Sequence, residues 1–207
     1  MMRESPIDQS LQTSTGPIFA ARLFSNIASP PALFSAFAFL MAWVDRPSLI
    51  GLSWAALYGF LAHLLPVLYL VYLYKAGKVY DIHVSSPAER RIPYRVGLVG
   101  ASISFLIIRL WADMPLLANL ILIHVLIMLV LALANELWLI SAHVAAITAL
   151  TIQTGVVFGT VFSLIMLPLI PLTFFIRRYL KRHTLGELIS GLFVGVGSVL
   201  VLAALNT

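Results

Sequence analysis

Long apolar runs broken by short polar stretches make up most of this chain. A helix that crosses a membrane needs about 20 mostly apolar residues. Residues 32–44, 49–74, 96–111 and 116–134 read as four such runs, the first of them short. Asp45-Arg46-Pro47 turns the first into the second, and Ala112-Asp113-Met114-Pro115 turns the third into the fourth. The second run is long enough to tilt or to kink at Pro66, which has no N–H to give the helix. Residues 144–176 are apolar throughout and too long for one crossing. Gly155 and Gly159 mark the expected reversal, which makes fifth and sixth spans, with Pro168 and Pro171 kinking or ending the sixth. Residues 184–205 form the last span. Ahead of them all, residues 18–27 carry apolar side chains at helical spacing with Arg22, Ser25 and Asn26 between, which predicts a short interfacial helix. Residues 1–14 read as a disordered tail. The expected fold is all-α, a polytopic transmembrane helical bundle of six or seven spans. Residues 1–28 are its tail and interfacial helix, and 29–207 a single transmembrane domain.

Composition supports the pattern. Apolar residues make up 61% of the chain and charged ones 10%, against roughly a quarter charged in soluble domains. A mean hydropathy of +1.01 takes the chain out of the soluble class. The formal charge of +5 would hint at nucleic acid in a soluble protein. Here it reads as basic loops flanking membrane spans, and no nucleic-acid partner is expected. Without cysteine there is no disulfide or thiolate chemistry. The first 28 residues are polar or mixed, so no secretory leader is expected.

Span parity brings three polar clusters to one face. Two spans separate the loop at 75–93 from Ser141-Ala142-His143, and two more separate that cluster from residues 177–187. The first cluster runs from Asp81 and His83 to Glu89, Arg90, Arg91 and Pro93, and alone it reads as a membrane-flanking basic loop. The second opens a helix, with Ser141 as the expected N-cap accepting from a first-turn N–H. The third reads Arg-Arg-Tyr-Leu-Lys-Arg-His-Thr-Leu-Gly-Glu and holds four of the thirteen basic residues. His183 and Glu187 are four apart, so on a helix they share one face. A histidine held by a carboxylate beside guanidinium groups at a lipid–water boundary points to chemistry on a phosphate.

These clusters resemble the motifs of the type 2 phosphatidic acid phosphatases, the membrane branch of the superfamily that includes vanadium haloperoxidases. Those motifs run Lys-x6-Arg-Pro, Pro-Ser-Gly-His and Ser-Arg-x5-His-x3-Asp. The third appears here as Ile176-Arg177-x5-His183-x3-Glu187, with Ile for Ser and Glu for Asp. The second appears as Ile140-Ser141-Ala142-His143, without the Pro and Gly. The first is the most changed. Arg90 is followed by Arg91 and Ile92 before Pro93, and His83 stands where the lysine would be, leaving Lys78 or Arg91 to substitute.

The resemblance implies hydrolysis of a lipid phosphate monoester or diphosphate without metal or cofactor. His183 is the implied nucleophile, forming a phosphohistidine, and Glu187 fixes its tautomer. His143 is the implied acid and base. Arg90, Arg91, Arg177, His83 and Ser141 are the implied phosphate ligands, together with the N-termini of the helices at Ala142 and Thr184. The substrate is phosphatidate, phosphatidylglycerol phosphate or a polyprenyl diphosphate. The alternative is a binding or transport protein whose altered site only grips lipid phosphate.

Further expectations concern polar residues inside or beside the spans. His63, Asn119, His124 and Gln153 are expected to form interhelical hydrogen bonds. Arg109 and Asp113 are expected to pair at the face opposite the motifs, and Asn135 and Glu136 to support His143. Most basic residues fall on the motif face, which the positive-inside rule assigns to the cytoplasm, whereas the resemblance allows the outer face, in a plasma membrane of prokaryotic type.

Overall fold

The computed structural model describes residues 16–78, 87–134 and 137–205, with residues 87–90 as backbone only. Within these segments every regular element is a helix. Helices α1 (Pro17–Ile27) and α2 (Pro30–Asp45) meet at a bend of 47°. The path Leu49–Lys75 consists of α3 (Leu49–Gly59), a π turn (Phe60–Leu64) and α4 (Leu65–Lys75). Then come α5 (Pro87–Trp111), α6 (Pro115–Ala134), α7 (Ala142–Phe158), α8 (Thr160–Met166), α9 (Leu169–Tyr179) and α10 (Leu185–Leu205). Five helical paths among the described residues are long and apolar enough to cross a membrane, or six if α1 and α2 make one bent span. Helix α7 is a shorter apolar helix of 17 residues. The chain is an all-helical protein compatible with integration in a membrane.

Pro66 explains the π turn. Proline has no N–H for the carbonyl four residues back, and its ring crowds that carbonyl. The helix answers by widening one turn earlier, so that the Leu65 N–H bonds the Phe60 carbonyl, five residues back. The carbonyls of Leu61 and Ala62 then lie against α5 at Gly100 and Gly97. A Cβ at Gly100 would overlap the Leu61 carbonyl, so glycine is what lets α5 approach. The kink expected at Pro66 is therefore a π turn upstream of it.

The expected reversal within 144–176 is present. It falls at Gly159, whose φ of 96° belongs to glycine. Gly155 leaves room for Ser163, and the Ser163 hydroxyl donates to the Thr151 carbonyl at 3.0 Å, closing α7 against α8. Pro168 marks the short break between α8 and α9, and the helical path continues through Pro171 to Tyr179.

Helix α6 packs against α2, α5, α7 and α10, burying Leu117, Leu120, Ile121, Ile123 and Ile127. At its N-terminus the Asp45 carboxylate accepts from the N–H groups of Leu116 and Leu117, at 3.2 and 2.9 Å. This caps α6 from the end of α2, with negative charge on the positive end of the helix. The expected Arg109–Asp113 ion pair is not among the interactions of the described residues. Asp113 is instead the positive-φ residue of the turn into α6, at 49°, and has left the helical register that a four-residue spacing assumes. At the other end of the bundle α10 lies close on α7. Gly191 faces the Ser141 carbonyl and Gly195 the Ala145 carbonyl, the close approach that small residues permit between membrane helices. Gly195→Ala is expected to cost about 1–3 kcal/mol through overpacking. Gly197 has open space where a Cβ would go, so Gly197→Ala should be neutral or gain up to about 1 kcal/mol. Thermal unfolding in detergent compares the two.

Candidate functional site

The third cluster is built from two helix ends. Arg177 and Arg178 lie in the last turn of α9, where cations suit the negative end of the helix. Lys181, at a φ of 54°, turns the chain. His183 precedes α10, so the shared helix face expected for His183 and Glu187 does not exist. Their contact arises differently. Thr184 stands immediately before the first residue of α10, and the Glu187 side chain folds back over the helix end. Glu187 Oε2 accepts from the Thr184 N–H at 3.1 Å and from His183 Nδ1 at 2.9 Å. The Glu187 N–H in turn donates to Thr184 Oγ1 at 3.4 Å. This is a capping box, and the run Thr184-Leu185-Gly186-Glu187 carries its sequence signature. His183 and Glu187 are 5% and 9% exposed, so the pair is shielded from water. A carboxylate only accepts, which puts the shared proton on Nδ1 and leaves Nε2 as the lone-pair nitrogen of the neutral ring.

The second cluster joins this one. The Ser141 N–H donates to the Glu187 carbonyl at 3.1 Å, which ties the start of α7 to the first turn of α10. The expected N-cap bond of Ser141 is absent, and its fully buried hydroxyl has no hydrogen-bond partner. The residue is held instead by its backbone, through that N–H and through the packing of Gly191 on its carbonyl. His143 Nε2 lies 3.1 Å from the Ser25 carbonyl. A carbonyl cannot donate, so Nε2 carries the hydrogen. Arg177 Nη1 donates to Ser25 Oγ at 2.8 Å. Arg177, His183 and Arg182 all lie within electrostatic reach of His143. Arg177, Ser141, His143, His183 and Glu187, from the second and third clusters, thus lie in one neighbourhood. Two guanidinium-bearing residues, two imidazoles, a buried hydroxyl and the N-terminus of α7 suit an oxyanion, whereas the capping box of Thr184 and Glu187 already occupies the N-terminus of α10.

Ser25 is the residue that sequence reading misses. It reads there as one polar position on an interfacial helix, and its contact with His143 runs through a backbone carbonyl, which no residue type signals.

The first cluster is not brought into this group by the described contacts. Asp81 and His83 lie outside the described residues, as do Asn135, Glu136 and the side chains of Glu89 and Arg90. Arg91 is exposed on α5, which packs on α3, the π turn, α4 and α6. Deeper in the bundle, Ser35 Oγ bonds His63 Nδ1 at 2.8 Å and Tyr58 Oη bonds His124 Nδ1 at 2.7 Å. Both histidines make the interhelical hydrogen bonds expected of them. Among the described residues no group of three or more His, Asp or Glu is arranged to hold a metal.

No protein-family model matches the chain, and comparison with curated proteins and with solved structures gives no match. Thr184→Ala removes one arm of the capping box and is expected to cost about 1 kcal/mol. Glu187→Ala removes the cap and the anchor of His183 together and should cost more. Chemical unfolding of the two variants in detergent gives the comparison.

Proposed function

We propose that the chain hydrolyses a lipid phosphate monoester or diphosphate through a phosphohistidine on His183. The observation that carries this reading is the buried His183–Glu187 pair within electrostatic reach of a second histidine, His143, which Arg177 also reaches. The motif resemblance to type 2 phosphatidic acid phosphatases supports the same chemistry. His183 Nε2 attacks phosphorus, and the bond from phosphorus to the lipid oxygen breaks. His143, held as the imidazolium by the negative charge of the bound phosphate, gives its Nδ1 proton to the departing alkoxide and becomes neutral. Glu187 holds Nδ1–H throughout, so the attacking nitrogen keeps its lone pair. His143 then takes a proton from water, the hydroxide attacks phosphorus, and the P–N bond breaks to release phosphate. Arg177 balances charge on the phosphoryl oxygens, with Arg90 and Arg91 proposed to join it from α5. Ser141 Oγ, buried and unpartnered, is a ready donor to the same oxygens.

In this reading the chain crosses the membrane seven times, by α2, the path Leu49–Lys75, α5, α6, α7, α8 with α9, and α10. The site then sits at the end shared by the starts of α7 and α10, where a headgroup meets the arginines while its tails stay among the helices. The positive-inside rule puts that end in the cytoplasm. Phosphate release from short-chain phosphatidate, phosphatidylglycerol phosphate and prenyl diphosphates in detergent selects the substrate, and vanadate is expected to inhibit. His183→Ala should abolish release while lipid-phosphate binding persists. Arg177→Ala should lower kcat by about 10²–10³-fold, as loss of an oxyanion-stabilising donor does. Unchanged release in His183→Ala would contradict the mechanism. Tight binding without release by the wild type would make the protein a carrier of lipid phosphate.

A further inference from the structure

Helix α1 is seated on the site by a narrow apolar contact. Ala21 packs with Ile176 and Leu180 of the third cluster, flanked by Ile18 and Phe24. Ser25 lies one turn beyond Ala21 on the same buried face and is 7% exposed. The other face of α1 presents Phe19, Leu23 and Ile27 outward, the apolar side that an interfacial helix turns to lipid. Ile176 stands where the resembled motif carries a serine. In this chain the hydroxyl beside Arg177 comes from α1 instead.

We infer that Ser25 is a positioning residue of the phosphate site, fixing Arg177 through its hydroxyl and His143 through its carbonyl. The hydroxyl accepts from Arg177 Nη1, which sets the direction of the guanidinium fork and leaves its own hydrogen to donate. The carbonyl holds Nε2–H of His143 in both protonation states of the ring. Nδ1 is then the nitrogen that gives and takes the proton. Each histidine has one nitrogen anchored on a fixed acceptor, His183 on Glu187 and His143 on Ser25. Docking of α1 is therefore a condition for a competent site. This rests on the phosphate chemistry proposed above.

The test is a double-mutant cycle with two readouts, phosphate release from short-chain phosphatidate and thermal stabilisation by inorganic phosphate, both in detergent. Ser25→Ala is expected to raise KM about tenfold, with a smaller effect on kcat, as loss of a hydrogen bond to a charged group does. It should weaken stabilisation by phosphate to a similar degree. Ser25→Thr, which keeps the hydroxyl, should recover most of both. In an Arg177→Ala background Ser25→Ala should add nothing, because the two act as one unit. If Ser25→Ala does not fold, Ser25→Cys, near in volume but a weak acceptor, takes its place. A wild type that binds phosphate without releasing it from lipid removes the hydrolase reading, and the binding arm still decides the role of Ser25. Additive effects of the two substitutions, or unaltered phosphate binding in Ser25→Ala, overturn the inference. A wild type that binds no phosphate overturns both.

Discussion

Glu187 ties together the starts of two helices and the ring of His183. Its carboxylate closes the N-terminal cap of α10 and holds His183, while its carbonyl accepts from the first residue ahead of α7. A carboxylate at 9% exposure is costly unless its oxygens are satisfied. Here the donors are an imidazole N–H and a backbone N–H at the positive end of a helix. The cap of α10, the start of α7 and the tautomer of His183 are therefore parts of a single arrangement.

The two ends of the bundle are secured by the same physics. Inside lipid each backbone group must find a partner, so helix ends are where polar side chains collect. Asp45 caps α6 at one end; the Thr184–Glu187 box and the Ser141 N–H secure α10 and α7 at the other. Among the described residues the second end also gathers Arg177, Arg182, His143 and His183. In the proposed function that difference, rather than any property of the apolar interior, is what places the charged headgroup there. The histidines of the interior, His63 and His124, each bond a hydroxyl from a neighbouring helix through Nδ1, while His63 Nε2 stays buried and unpartnered.

Much of the helical layout is legible in the sequence, because apolar run length and proline position are direct readouts of span and turn. The reversal at Gly159 follows from a run too long to cross once. The π turn is not legible, since the way a helix absorbs the missing N–H of Pro66 depends on the room that Gly97 and Gly100 provide on another helix. The meeting of His183 with Glu187 follows from a spacing of four. The reason differs from the one the spacing suggests, because a cap turns the carboxylate back to a residue outside the helix. Ser141 shows the converse: its residue type fits an N-cap, yet its hydroxyl makes no cap bond. Ser25 leaves no mark in the sequence, because half of its contribution is a carbonyl that every residue possesses.

The central claim is that His183 bonds covalently to phosphorus. Radiolabelled short-chain phosphatidate mixed with the detergent-solubilised protein, quenched in alkali within the first turnover, should leave label on the peptide that contains His183. The label should be lost in acid and kept in base, as a phosphoramidate is. It should be missing from Glu187→Ala in proportion to lost activity. Phosphate release with no labelled protein at any quench time, or label on a serine or carboxylate, would contradict it.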